Sequence, residues 1–111
     1  MFHVVEDDAA VADALVLMLR EFDHEVRSYP DAETFLRDVL PGRGDTVIVD
    51  LALPGMSGGE LARFLEALAT PPRVVVISGE PQGRLDRHLE GLPGLQVIRK
   101  PVEVEDIRRL L

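Results

Sequence analysis

Four short clusters hold the residues able to do chemistry: Glu6-Asp7-Asp8, Asp50, Ser78-Gly79 and Lys100-Pro101. Each comes at the end of a run rich in Val and Ile, so strands laid side by side would bring all four to one edge of a sheet. Carboxylates crowded there repel one another, and beside a low-dielectric wall that repulsion calls for protons or a cation. Oxygen ligands from Glu6, Asp7 and Asp50, with no Cys or His among them, select a hard ion; a small, open site that keeps waters suits Mg²⁺ better than Ca²⁺. The Ser78 hydroxyl, the Lys100 ammonium and a metal on carboxylates together make a clamp for the equatorial oxygens of a transferring phosphoryl group. A carboxylate in that clamp can be the acceptor. Asp50 is the candidate, because it stands alone after a central run while Glu6 and Asp7 form a neighbouring pair.

The elements that must position these groups are legible as alternating patterns. Strand-like runs occur at residues 2–5, 25–29, 46–49, 73–77 and 95–98, closed by charged, Gly or Pro residues. Val4-Val5, Val47-Ile48-Val49 and Val74-Val75-Val76-Ile77 are continuously apolar, as parallel strands covered on both faces are. Between the runs, Val11, Leu15, Met18, Leu19 and Phe22 share a helical face; so do Phe35, Leu36, Val39 and Leu40, then Leu61, Phe64, Leu65 and Leu68. Asp31 is placed as a helix N-cap, and Ser57-Gly58-Gly59-Glu60 fits the reciprocal capping box. A fourth helix over 82–91 carries Leu85 and Leu89 but is weakened by Gly83, Gly91 and Pro93; a fifth holds Val104, Ile107, Leu110 and Leu111. Strict alternation predicts an α/β domain over 1–111 with a doubly wound, open five-stranded parallel sheet and helices on both faces.

Bulk properties narrow the function. The 111 residues suffice for one hydrophobic core, and 46% hydrophobic with 29% charged residues is a globular balance. No apolar run approaches the ~20 residues of a bilayer span, and no basic flank with a long apolar stretch opens the chain, so neither membrane insertion nor secretion is expected. The absence of cysteine excludes thiolate metal sites and is compatible with a reducing, cytoplasmic setting. A formal charge of −8 disfavours direct nucleic-acid or anionic-lipid contact.

The segments Val4-Val5-Glu6-Asp7-Asp8, Val49-Asp50-Leu51-Ala52-Leu53-Pro54-Gly55-Met56-Ser57-Gly58, Ser78-Gly79 and Lys100-Pro101, in this order, resemble the receiver domain of two-component response regulators over nearly the whole chain. The resemblance implies a flavodoxin-like receiver fold and a phosphorylation switch rather than an enzyme with a separate substrate. Asp50 would accept a phosphoryl group from a sensor histidine kinase or phosphotransfer protein. Asp7 would ligate Mg²⁺ directly, Glu6 would assist, and the Ala52 backbone carbonyl would complete the ligands. Ser78 would bond one phosphoryl oxygen and shift toward it, and Lys100 would pair with another beside a peptide bond often cis in the family. A small Gly79 would keep the site accessible, and Ala52 and Glu80 occupy positions that tune dephosphorylation. A downstream effector would read the switched state, and a homodimer through the fourth and fifth helices is left open.

Two departures stand out: Val97 where an aromatic usually sits, and the interrupted fourth helix. They keep alive the alternative of a degenerate receiver that binds a partner independently of phosphorylation. An aspartyl phosphatase lacks its second acid, since Ala52 stands two residues beyond Asp50, and a flavin or nucleotide carrier lacks its Gly-rich loop after the first strand. Asp8 is expected only to cap a helix; His3, His24 and His88 to be structural or exposed; and Arg108-Arg109 to lie on the solvated side of the last helix.

Overall fold

The computed structural model describes residues 1–92 and 94–111; Pro93, read above as a breaker of the fourth helix, lies outside them. Among the described residues ten elements alternate: β1 (Phe2–Val5), α1 (Ala9–Glu21), β2 (Val26–Tyr29), α2 (Ala32–Asp38), β3 (Thr46–Asp50), α3 (Gly58–Glu66), β4 (Arg73–Ser78), α4 (Gln82–His88), β5 (Gln96–Arg99) and α5 (Val104–Leu110). The strands form one sheet in the order β2-β1-β3-β4-β5, every neighbouring pair parallel. The open parallel α/β sheet expected from the alternation is what forms.

Strand periodicity sorts the apolar side chains into two cores. Val4, Ile48, Val75 and Ile77 pack with Leu15 and Leu19 of α1 and Ile107 and Leu110 of α5. Val5, Val47, Val49 and Val76 point the other way, onto Phe35 of α2, Leu61 and Leu65 of α3 and Leu85 of α4. With helices on both sides, β3 is buried at every position, which is why it reads as an unbroken apolar run up to Asp50.

The helix starts follow the capping chemistry. Asp8 accepts from the amides of Ala10 and Val11 at 3.0 and 3.3 Å, and Asp31 from Thr34 at 2.7 Å. Ser57 Oγ accepts from the Glu60 amide at 3.1 Å, but the Glu60 carboxylate meets the Ser57 hydroxyl at 3.4 Å instead of the backbone, so the expected box is half formed. The return bond of such a box occurs at α5, where Asp106 accepts from the Glu103 amide at 2.8 Å.

Some helical faces are narrower than the periodicity suggests. α2 stops at Asp38; Val39 is extended (φ −136°, ψ 139°) and Leu40, ahead of Pro41, is 83% exposed. A residue before proline is disfavoured in the helical region, and that steric limit overrides the apolar spacing. Phe64, Val104 and Leu111 are likewise exposed, although Leu61, Leu65, Ile107 and Leu110 beside them are buried. α4 ends at His88, not at 91, and buries only Leu85. Among the described residues no helix is long and apolar enough to cross a membrane.

Candidate functional site

Parallel strands deliver their ends to one edge, and each of four strands brings one polar group there. Glu6 follows β1, Asp50 ends β3, Ser78 ends β4 and Lys100 follows β5. The register sets Val5 beside Val49, Asp50 beside Ile77 and Ser78 beside Arg99. The sheet order reverses between β1 and β3, the place where open α/β sheets leave a crevice for ligands.

The Lys100 ammonium ties the site together. Its Nζ lies 2.8 Å from Glu6 Oε1 and 3.2 Å from Asp50 Oδ2, and its amide donates to the Ser78 carbonyl at 2.9 Å. The Lys100-Pro101 peptide is cis. Asp50 is held from its other side by the Ala52 amide, 3.2 Å from Oδ1. Glu6, Asp50 and Ser78 are buried, while Asp7 is exposed at the mouth. One oxygen from each of Glu6, Asp7 and Asp50 falls within 4.8 Å of the others, close to the span that opposite ligands of a single small ion cover.

Burial sets the electrostatics. It pushes the Glu6 carboxyl up to about 8, helped by the adjacent Asp50 and opposed by Lys100. Burial also works to raise Asp50, but the bonds from Glu6 and the Ala52 amide and the Lys100 charge outweigh it and hold that carboxyl below its ordinary value. Lys100 loses some basicity to burial and gains more from Glu6 and Asp50, so it stays charged. One buried acid thus carries a proton while its neighbour is ionised, the separation expected when a single ammonium faces two carboxylates. Glu6 Oε2 is buried and receives no hydrogen bond from any described residue. An orphaned acceptor beside two further carboxylate oxygens fits a hard divalent cation.

The loop that carries Ala52 is pinned at two points. At Gly58 a Cβ would lie 2.1 Å from the Asp50 carbonyl oxygen and 2.6 Å from Leu51 Cα, so only glycine lets the start of α3 approach the end of β3 so closely. The Met56 amide, next to Gly55 at φ +67°, donates to Glu33 Oε2 of α2 at 2.9 Å. Nothing in the sequence marks Glu33 for this role, since its partner is 23 residues away. At Gly79 a Cβ would sit 3.7 Å from Lys100 Cβ, ordinary contact, so space alone does not demand glycine there.

The residues set aside as structural stay outside the site. His3 is buried, its Nδ1 3.1 Å from the Tyr29 hydroxyl, with Phe35 packed edge-on. His24 packs edge-on against Phe2, and Arg108 pairs with Glu105 and lies over the Phe22 ring. Val97, at the place of the usual aromatic, is half-buried against the core shared with Leu85.

The comparisons with known proteins agree with this geometry. The family model described as "Response regulator receiver domain" matches residues 2–111. The transcriptional regulatory protein FixJ of Bradyrhizobium diazoefficiens is 29% identical over 98% of this chain and 53% of its own length. The two-component response regulator PhoP of Pseudomonas aeruginosa is 33% identical over 97% of this chain and 48% of its own. The chain therefore spans about half the length of the curated relatives it matches. Among solved structures, the response regulator StyR superposes with a TM-score of 0.79 at 28% identity, covering 97% of this chain and 55% of that one. A CheY-like receiver domain from Methanospirillum hungatei gives 0.82 at 21% identity over 98% and 87%, a likeness of fold. With the match running from end to end and the acidic edge formed where the family model aligns, this chain belongs to the response regulator receiver domains.

Proposed function

We propose that residues 1–111 act as one receiver domain in which Asp50 accepts a phosphoryl group from a sensor histidine kinase or phosphotransfer protein. The observation that carries this reading is the placement of Lys100 between the buried carboxylates of Glu6 and Asp50, with Asp7 at the mouth.

The Ala52 amide on Oδ1 and Lys100 on Oδ2, with the Glu6 carboxyl beside them, orient the Asp50 carboxylate before a phosphoryl donor arrives. As Asp50 attacks phosphorus, the bond to the donor's leaving atom breaks, and Lys100 stays beside the new acyl phosphate to balance its charge. Ser78 is the hydroxyl donor for a further phosphoryl oxygen. Glu6, Asp7, Asp50 and the Ala52 carbonyl would hold Mg²⁺, which neutralises charge on the transferring group when bound. Chemistry is confined to the domain's own phosphorylation and its reversal, which is switching and not turnover of a separate substrate.

A protein donor suits the surroundings. Beside Lys100 a groove of about 470 Å³ runs between α1 and the start of the last connection, lined by Ala10, Val11, Ala14, Met18, Pro101 and Val102. Such an apolar strip next to a charged reaction centre suits a helix carrying the phosphorylated histidine. The effector that reads the phosphorylated state, in a cytoplasmic setting, is a further part of the proposal.

The test is intact mass after incubation with acetyl phosphate, with and without Mg²⁺, on the native chain and on Asp50→Asn. An Mg²⁺-dependent gain of one phosphoryl group, absent in the variant, supports the switch. No gain in the native chain overturns it.

A further inference from the structure

Three of the candidate metal ligands are side chains at or just past the ends of β1 and β3, but the fourth, the Ala52 carbonyl, belongs to the loop that joins β3 to α3. The sheet places the first three; a loop carbonyl goes where its loop is held. The near end of this loop is well held. The Leu51 amide donates to the Ile77 carbonyl at 3.1 Å, the Ala52 amide to Asp50 Oδ1 at 3.2 Å, and the Leu53 side chain is buried in the core. At the far end the Gly58 amide donates back to the Leu51 carbonyl at 3.3 Å. Between these points the chain passes through solvent at Pro54 and Gly55.

Met56 ties this outer stretch to the body, and through it to α2. Its side chain packs on the core that holds Phe35 and Leu61, and its amide donates to Glu33 Oε2 at 2.9 Å. A carboxylate on a backbone amide makes one of the stronger hydrogen bonds. Two features let Glu33 make it. The first turn of α2 is fixed, because Asp31 caps it and Ala32 and Phe35 are fully buried. Residue 55 is glycine: a Cβ there would overlap Glu33 Oε2 and stand 3.2 Å from the carboxyl carbon. The glycine at positive φ and the carboxylate lying over it are a matched pair.

We propose that Glu33 is a positioning residue for the metal centre: by holding the Met56 amide it fixes the bend of residues 54–56, and with it the direction of the Ala52 carbonyl at the acidic edge. Glu33 itself touches neither the metal nor the phosphoryl group. A carbonyl already ordered binds a hard cation without the cost of being ordered first, so the bond to Met56 is felt as Mg²⁺ affinity. This rests on the proposed reading of Glu6, Asp7, Asp50 and the Ala52 carbonyl as the ligands of Mg²⁺.

The test compares Glu33→Ala, which removes the acceptor, with Glu33→Gln, which keeps an oxygen at the same reach and loses only the charge. Mg²⁺ affinity is read by isothermal titration calorimetry with no phosphoryl donor present, and amide exchange at Met56 is read in metal-free protein. Glu33 is exposed, so both variants keep the fold, which melting checks. Glu33→Ala is expected to weaken Mg²⁺ binding about five-fold and to speed exchange at Met56 by a similar factor, the equivalent of one ordinary hydrogen bond. Glu33→Gln brings both back to within about two-fold of the native chain. In acetyl-phosphate labelling the loss falls on the Mg²⁺ concentration for half-maximal rate and not on the rate at saturation. Native Mg²⁺ affinity in Glu33→Ala overturns the inference. So does a glutamine variant as weak as the alanine one, which makes Glu33 a distant charge and not an anchor. A native chain that binds no Mg²⁺ overturns the proposed metal site and this inference with it, a failure recognised before any substitution is made.

Discussion

Gly58→Ala tests whether the close approach of α3 to β3 is what holds Asp50, the proposed phosphoacceptor. Two effects favour alanine: its helix propensity, up to ~1 kcal/mol over glycine, and the smaller entropy it loses on folding. Against them stands a Cβ placed 2.1 Å from the Asp50 carbonyl oxygen and 2.8 Å from its carbonyl carbon. These are backbone atoms of a buried central strand, with no flexible end to move aside. Overpacking a tight site costs about 1–3 kcal/mol, and backbone on backbone belongs at the upper end of that range. The net expectation is a loss of about 1–2 kcal/mol, or roughly 4–8 °C in Tm for a domain near this size. Because the displaced atoms belong to Asp50 and Leu51, the rate of phosphorylation by acetyl phosphate falls with Tm. Gly83→Ala is the control. Among the described residues no atom outside its own helical turn lies within 4 Å of its Cβ, and its helical position predicts a rise of up to ~1 kcal/mol with phosphorylation unchanged. Melting by circular dichroism and the mass-gain rate read both. A Gly58→Ala protein that melts and is phosphorylated like the native one refutes the steric account.

Three further outcomes follow from the site. Glu6 rises from 4.5 to about 8 in the folded state, so the native state binds more protons than the unfolded chain between those values and metal-free stability falls as pH rises from about 5 to 8, by an order of 1–3 kcal/mol. Saturating Mg²⁺ should cancel that fall in a urea titration and release about one proton on binding near pH 7; a flat pH profile without metal contradicts the buried, protonated Glu6. Lys100→Met keeps the stem but leaves Glu6 and Asp50 without their ammonium, so acetyl-phosphate labelling should slow about 100-fold with Mg²⁺ affinity retained or increased; native-rate labelling removes Lys100 from the clamp. Ala52 has no side-chain polar atom to orient a water, so the phosphorylated domain should persist for minutes or longer in Mg²⁺ by intact mass; release within seconds counts against that.

The parts of the fold governed by local rules are the parts the sequence discloses. Val47-Ile48-Val49 announces a strand buried on both faces, and Asp8, Asp31 and Ser57 cap the helices they precede. The acidic edge was inferable because parallel strands must end together, so four separate motifs needed only the topology to be joined. What escaped lies in longer-range competition. Leu40 has helical spacing, yet Pro41 and the end of α2 leave it in solvent. Phe64 has the same spacing, and its exposure depends on how α3 sits, which no local pattern records. Glu33 reaching Met56, Arg63 reaching the end of α4 and the half-formed box at Ser57 are decided by the angles at which helices settle on the sheet. Site geometry is more legible than helix trim because the sheet fixes it within one residue's pleat.

The salt bridge from Lys100 to Glu6 joins residues 94 positions apart, and the one to Asp50 spans 50. The strands that bring them together pair only in parallel, so each strand pairing that supports the site closes a long loop, and folding should be slow beside that of a helical protein of equal size. During vectorial synthesis the first strand and its acids emerge well before the lysine that holds them, and until the last strand docks those carboxylates face each other without it. Under the proposed function, competence to receive a phosphoryl group waits for the last strand to dock and bring Lys100 to Glu6 and Asp50. On that reading a partly unfolded chain is silent to a phosphoryl donor, and labelling kinetics at Asp50 report completion of the native sheet.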